Sequence, residues 1–281
     1  LAADDPGAQL MVTARIAVLP MYDFPPLREA HDELWAALRQ RLVAAGVERV
    51  PLQLSHVTDH VASWLHPELL LGQACEYPLA VRIAGQVRMV ATPRYTAEGC
   101  TGACYRSAII VRTADPAGTL LDLRGRRCAY NEADSNSGMN LLRAAIAPLA
   151  RGARFFASVD ASGSHLASAS QVADGRADAA AIDCVSLAHF RRQYPALTAQ
   201  LRVLAWTQAS PSLPLITADT TDAATLSCLR AALADVARDP ALRATRDELL
   251  LDGFDCAPDI SLRKVRELAQ LAVDSGYPRL W

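Results

Sequence analysis

Lysine is nearly missing from this chain. Lys264 stands alone against 27 arginines, a skew of codon usage rather than of chemistry. A charge excess is missing too: 28 basic and 30 acidic residues leave a formal net charge of −2, with no basic tail or stripe. Nucleic acid and anionic membrane are therefore not expected partners. A nest of backbone amides still binds an anion without any net charge. There is no run of 18 apolar residues, so no membrane insertion is expected. The start of the chain shows no basic region followed by an apolar one. Either a secretion signal has been removed, or Met11, just before the first strand-like run, is the start and the protein stays in the cytosol. The Walker loop, the Rossmann glycine fingerprint and the Gly-x-Ser-x-Gly elbow do not occur, which argues against the chemistries they carry. No Cys-x-x-Cys with a histidine partner occurs, so neither a metal nor another cofactor is expected. His56 and His60 have the spacing of a helical metal pair, but no acidic or cysteine partner completes it. With His66 they read as surface residues.

Apolar residues make up 51 % and charged residues 21 % of the 281 positions, enough for one large or two modest cores without disulfides. Seven cysteines are spread along the chain: Cys75, Cys100, Cys104, Cys128, Cys184, Cys228 and Cys256. The odd count leaves at least one thiol free if the rest pair. For any given pair, buried thiols are as good a reading as a bridge.

Short apolar runs alternate with amphipathic ones. Ala14–Leu19, Val50–Leu54, Leu69–Gly72, Val81–Thr92 and Ser107–Val111 read as strands, and Leu27–Ala45 and Val57–Trp64 as helices. Beyond Leu120 the order is strand Arg127–Tyr130, helix Met139–Ala150, strand Phe155–Val159, helix Ser164–Asp174, strand Ala179–Asp183, helix Ser186–Gln193 and strand Leu201–Trp206. That alternation predicts α/β layers around parallel sheet. The tail turns helical over Thr221–Arg238, Pro240–Leu250 and Ser261–Ser275.

Three strand-to-helix loops carry candidate ligand chemistry. In the loop from Asn131 to Asn140, Ser135, Asn136 and Ser137 have the composition of a helix cap. The first-turn amides and the helix dipole favour an anion, and Gly138 allows close approach to the backbone. A plain cap would look the same. The loop Ser162–His165 repeats the arrangement and adds an imidazole donor in His165. The third, Gly175–Asp183, places Asp183 at the carboxyl end of a strand, where open α/β sheets bind ligands; a helix cap is the bland alternative. From the first half of the chain, Tyr22, Gln73 and Tyr105 offer an aromatic wall and polar tips.

Taken in order, these motifs resemble the phosphate/phosphite/phosphonate substrate-binding proteins of ABC transporters. The segments are Tyr105-Arg-Ser-Ala-Ile-Ile-Val-Arg112, Leu121-Asp-Leu-Arg-Gly-Arg126, Ser135-Asn-Ser-Gly138, Gly163-Ser-His165 and Gly175-Arg-Ala-Asp-Ala-Ala-Ala-Ile-Asp183. Leu69-Leu-Leu-Gly-Gln-Ala-Cys-Glu-Tyr-Pro78 is similar to a branch of that family with Cys-Gly-Tyr-Pro there. The resemblance spans Ile16 to Thr217. It implies an α/β, two-lobed type II periplasmic-binding-protein fold with two hinge crossings and a ligand cleft between the lobes. Lobe I would take residues 11–107 and 213–281 and lobe II residues 108–212. The crossings would lie near Tyr105–Val111 and Trp206–Ile216, and the helical tail would return to lobe I. Ser135, Ser137, Gly138 and His165 would hold the oxyanion, with Asp183 beside them and Tyr22 and Tyr105 closing from the other lobe. Two departures stand out: Glu76 replaces the usual glycine after Cys75, and Asn136 sits where a small hydroxyl residue is common. In the same branch Cys75 would pair with Cys100, with Cys128–Cys184 and Cys228–Cys256 as alternatives.

The implied function is capture of a small oxyanion by a periplasmic monomer that serves an ABC permease and ATPase, without turnover. Two other readings use the same fold. A cofactor-independent lyase would use Asp183 or His165 as general base. An effector-sensing module would need a DNA-binding helix-turn-helix, and the stretch Leu1–Leu19 is too short for one.

Overall fold

The computed structural model describes residues 14–256 and 260–281. Met11 and the question of the start site lie outside the described residues. Two five-stranded sheets define two lobes. In lobe I the strand order is Ile16–Val18, Leu69–Gln73, Leu215–Ala218, Val87–Tyr95 and Leu251–Asp255. In lobe II it is Ser158–Ala161, Arg127–Tyr130, Ala179–Asp183, Ser107–Arg112 and Leu201–Trp206. Helices of the alternating pattern cover both: Arg28–Ala44 buries Leu34, Trp35, Leu38 and Leu42 under lobe I, as its spacing predicts.

The sheets are mixed rather than parallel. Ile16–Val18 runs parallel to Leu69–Gln73, and Arg127–Tyr130 runs parallel to both of its neighbours. Ser107–Arg112 and Leu215–Ala218 run antiparallel to all of theirs. These two strands enter their sheets from a lobe crossing rather than from a returning helix, so no βαβ unit fixes their direction. The crossings pair with each other as two short antiparallel strands, Cys104–Tyr105 and Ser210–Pro211, and the Ser212 amide donates to the Ala103 carbonyl at 2.8 Å. The first crossing therefore lies a few residues before Tyr105–Val111, most of which is already lobe II strand.

Other differences have local causes. Val50–Leu54 is not a strand; Pro51 has no amide to give to a ladder, and Leu52 stays exposed. Phe155 and Phe156 are core residues ahead of the strand, which begins at Ser158. The predicted helix Pro240–Leu250 stops at Glu248. Leu250 takes φ +55°, and the chain turns into the edge strand Leu251–Asp255, where Arg94 lies so close over Gly253 that a Cβ there would meet its guanidinium at 2.4 Å.

The tail does not return to lobe I alone. Helix Ile260–Asp274 packs on both the lobe I helix Glu76–Val81 and the lobe II helix Leu141–Ala150. Beyond it Tyr277 is fully buried in the lobe II core with Phe155 and Phe156. The amides of Phe155 and Phe156 both donate to the Trp281 carbonyl at 3.1 Å. The last turns of the chain thus complete lobe II and clamp it to lobe I. Truncating Tyr277 to alanine should remove about 3–5 kcal/mol of stability in urea unfolding, the range for a large buried aromatic side chain; an unchanged midpoint would contradict this role.

Candidate functional site

A cleft of about 600 Å³ separates the lobes. Tyr22, Asp59, His60, Trp64 and Cys75 line it from lobe I, and Asn131, Glu132, Ser135, Ser137, His165 and Asp183 from lobe II.

The lobe II wall is built by the turn after strand Arg127–Tyr130. Ser135 caps the helix that follows, its hydroxyl accepting from the Gly138 amide at 3.0 Å. The first five helical residues, Asn136–Asn140, form a π-turn: the Asn140 amide reaches back to the Ser135 carbonyl at 3.0 Å. The Asn136 side chain holds this wide turn open. Its amide nitrogen donates to the Tyr105 hydroxyl at 3.0 Å and to the Ser210 hydroxyl at 2.9 Å, and its oxygen accepts from the Asn140 side chain at 3.0 Å. Asn136 and Tyr105 are fully buried and do not face the cleft, contrary to the contact role expected of them. They tie the site turn to the hinge strands instead. Gly138 also lies behind the wall. A Cβ there would sit 1.8 Å from the Asn131 side-chain oxygen, so the glycine admits Asn131 rather than a ligand.

Ser135 and Ser137 do face the cleft, their hydroxyls 3.4 Å apart, and Ser137 Oγ lies 2.7 Å from His165 Nε2. The Ser137 carbonyl accepts from the Ser107 hydroxyl at 2.9 Å, which fixes the turn on the neighbouring strand. Helix His165–Ala173 places the imidazole, with Ser164 as its cap. Burial holds the His165 pKa down to about 4, so the ring is neutral at pH 7. The two helix starts expected from the sequence therefore converge on one spot.

Asp183 caps helix Cys184–Gln193 through the Ser186 amide at 2.8 Å, and it also reaches across the cleft. The Tyr22 hydroxyl donates to both of its carboxylate oxygens at 3.2 Å. Burial raises the Asp183 pKa to about 6, against the lowering effect of the Ser186 and Tyr22 hydrogen bonds. Burial and the nearby Asp183 carboxylate raise the Tyr22 pKa, so the phenol stays a donor. Gln73 does not reach the cleft. Its side chain donates to the Tyr95 hydroxyl at 2.9 Å beside a gap of about 40 Å³ in lobe I.

Cys75 and Cys100 are not bonded, and all seven thiols are free. Cys75 instead docks the lobes: its sulfur accepts from the Asn136 amide at 3.3 Å, and Arg82 pairs with Asp134 at 2.9 Å alongside. The alternatives Cys128–Cys184 and Cys228–Cys256 are not formed either. His60, read from sequence as a surface residue, lines the cleft next to Trp64, with ring centroids 6.1 Å apart. Asp59 caps the short helix His60–Trp64 through the Ala62 amide. Asn131 and Glu132 belong to the loop that the sequence marks as a candidate ligand loop, although neither stands out within it; Trp64 has no sequence signal as a site residue and joins them only through lobe packing.

Comparison with known proteins identifies the family. The profile of the family described as ABC transporter, phosphonate, periplasmic substrate-binding protein matches residues 16–260. The chain belongs to that family. It is a solute-binding component of a transporter, not an enzyme, which sets the lyase reading aside. Solved structures agree on the two-lobed type II fold. A binding protein component of an ABC phosphonate transporter from Pseudomonas aeruginosa superposes with TM-score 0.74 at 14 % identity, over 94 % of this chain and 88 % of its own. PhnD1 from Prochlorococcus marinus, in complex with methylphosphonate, gives 0.72 at 14 % identity over 92 % and 97 %. XAC2383 from Xanthomonas citri, bound to chloride ion, gives 0.71 at 19 % identity over 94 % and 99 %. A sequence search of curated proteins finds no match.

Glu76, the departure from the family pattern, is fully buried beneath this cleft, and neither carboxyl oxygen meets a hydrogen-bond partner from another residue. Burial and the Asp183 charge push its pKa well above the ordinary value, which favours the protonated carboxyl in the folded binding protein. The unfolded chain releases that proton above its ordinary pKa, near 4.5. Glu76 therefore favours folding at acid pH and opposes it increasingly as pH rises toward the folded-state pKa. Glu76→Gln should leave the stability near pH 4 unchanged and raise it at pH 7–8, the gap growing by at most about 1.4 kcal/mol per pH unit. Melts at several pH values check this; a gap that does not widen means that Glu76 is ionised.

Proposed function

We propose that this binding protein captures a small oxyanion such as phosphonate, phosphite or phosphate in the cleft, with its oxygens at Ser135 and Ser137 and with His165 supporting Ser137 from behind. It then serves an ABC permease and ATPase from the periplasmic side. The observation that carries the ligand reading is the convergence of two helix starts and two hydroxyls on one spot. The Ser135 oxygen already accepts from the Gly138 amide, which leaves its proton for a ligand. His165 Nε2 shares a 2.7 Å hydrogen bond with the Ser137 hydroxyl and fixes it at the cleft wall. The site thus offers hydroxyl donors and the positive end of a helix rather than a fixed cation.

The rest of the lining favours a ligand with a second, positive end. Asp59, Glu132, Asp134 and Asp183 line the cleft, and none of its described lining residues is an arginine or lysine. An ammonium group facing those carboxylates relieves their mutual repulsion, whereas a bare dianion adds to it. An aminoalkylphosphonate should therefore bind more tightly than methylphosphonate.

A thermal-shift panel of phosphate, phosphite, methylphosphonate, aminoethylphosphonate, sulfonates and small carboxylates tests this. A true ligand at 100 times its Kd adds about 2.7 kcal/mol of stability. Melts shifted only by uncharged compounds would reject the oxyanion site. Ser137→Ala and His165→Ala should each weaken the best ligand by about 1.5–3 kcal/mol, roughly 10- to 100-fold in Kd, while the fold is retained. Unchanged affinity in both variants would place the ligand elsewhere.

A further inference from the structure

Two of the seven thiols face each other. Cys100 Sγ lies 3.4 Å from Cys184 Sγ, although 84 positions separate them in sequence. Cys100 sits on the first lobe crossing, in a turn where its amide donates to the Ala97 carbonyl at 3.0 Å. Cys184 opens the lobe II helix that follows Asp183, and its amide donates to the Arg106 carbonyl at 3.1 Å. Both backbones are therefore anchored. Gly99 removes the last obstacle: a Cβ there would stand 3.1 Å from Cys184 Cβ and 2.8 Å from the Trp206 ring, so only glycine lets the crossing press against Cys184. The two sulfurs are in van der Waals contact and have to close to about 2.05 Å to bond.

We infer that Cys100 and Cys184 are a disulfide-forming pair that clips the first hinge crossing to the strand end carrying Asp183. The oxidant is a small or protein disulfide. The Cys100 thiolate attacks one sulfur of that disulfide and releases one thiol. The Cys184 thiolate then attacks the mixed disulfide and releases the second. One S–S bond breaks and one forms, and the two protons lost by the protein end on the released thiols. Cys100 is partly exposed and can meet the oxidant, whereas Cys184 is buried and acts second. The hydrogen bond with Cys100, then burial and the Asp183 charge, hold the Cys184 pKa up, so exchange is slow once the chain has folded. An oxidising compartment closes the pair as the chain folds. Because Asp183 also accepts from Tyr22 of lobe I, the clip fixes the frame against which the lobes open and close.

The test refolds the full chain with oxidised glutathione and with a thiol reductant. The oxidised protein should show five titratable thiols instead of seven and lose about 2 Da. Peptide mapping should link Cys100 to Cys184. Its melting temperature should rise by roughly 5–10 °C, and amide exchange over residues 96–106 should slow. Cys100→Ser should abolish all five effects, and Cys184→Ser repeats the test from the buried side. Seven free thiols after oxidative refolding, or a link that maps to Cys75 or Cys104, would overturn the pairing. A mapped Cys100–Cys184 bond with unchanged exchange over residues 96–106 would overturn its role in the hinge.

Discussion

The buried carboxamide of Asn136 is the constraint around which this binding protein is arranged. It joins three places that have no covalent reason to stay together: the site turn, the outgoing crossing at Tyr105 and the returning crossing at Ser210. Its oxygen passes the order on to Asn140, which in turn accepts from Arg143 at 3.1 Å. Each of these groups is buried, and a buried donor or acceptor left alone costs about 1–3 kcal/mol. The network is therefore kept whole or lost together. Because it is kept, the helix begins as a π-turn, and Ser135 and Ser137 are presented to the cleft while Asn136 turns away from it.

The same turn faces lobe I. Its Asn136 amide meets Cys75, its Asp134 meets Arg82, and beyond it Tyr22 reaches Asp183. At the cleft this turn thus meets lobe I through hydrogen bonds and the Arg82–Asp134 ion pair, contacts of the kind that hinge closure makes and breaks. The charge pattern follows from this geometry. Burial keeps His165 neutral, so the proposed oxyanion site relies on hydroxyls and the helix dipole rather than on a cation. Asp59, Glu132, Asp134 and Asp183 supply the acidic groups of the remaining lining, and the proposed preference for a ligand with a positive end rests on them.

Much of this was legible in the sequence, and the rest was hidden for identifiable reasons. Helix Arg28–Ala44 and strands Leu69–Gln73 and Ala179–Asp183 announced themselves by period and composition. The turns holding Ser135, Ser137 and His165 showed as caps after strands, and they converge. Asn136 looked like a ligand contact because polar residues at helix starts usually face solvent or ligand; its buried partners lie 31 and 74 positions away and leave no local trace. Tyr105 and Gln73 misled in the same way. His60 and Trp64 entered the cleft only through lobe packing. Cysteine pairing was hardest to read: Cys75 meets a backbone amide and Cys100 meets Cys184, and spacing along the chain encodes neither contact.

The most direct measurement is a crystal structure of the protein grown with methylphosphonate. The geometry described above requires the phosphonate oxygens within hydrogen-bond distance of the Ser135 and Ser137 hydroxyls, on the cleft side of the turn that Asn136 holds, with His165 still against Ser137. Phosphonate density seated elsewhere, with that turn empty, would contradict it.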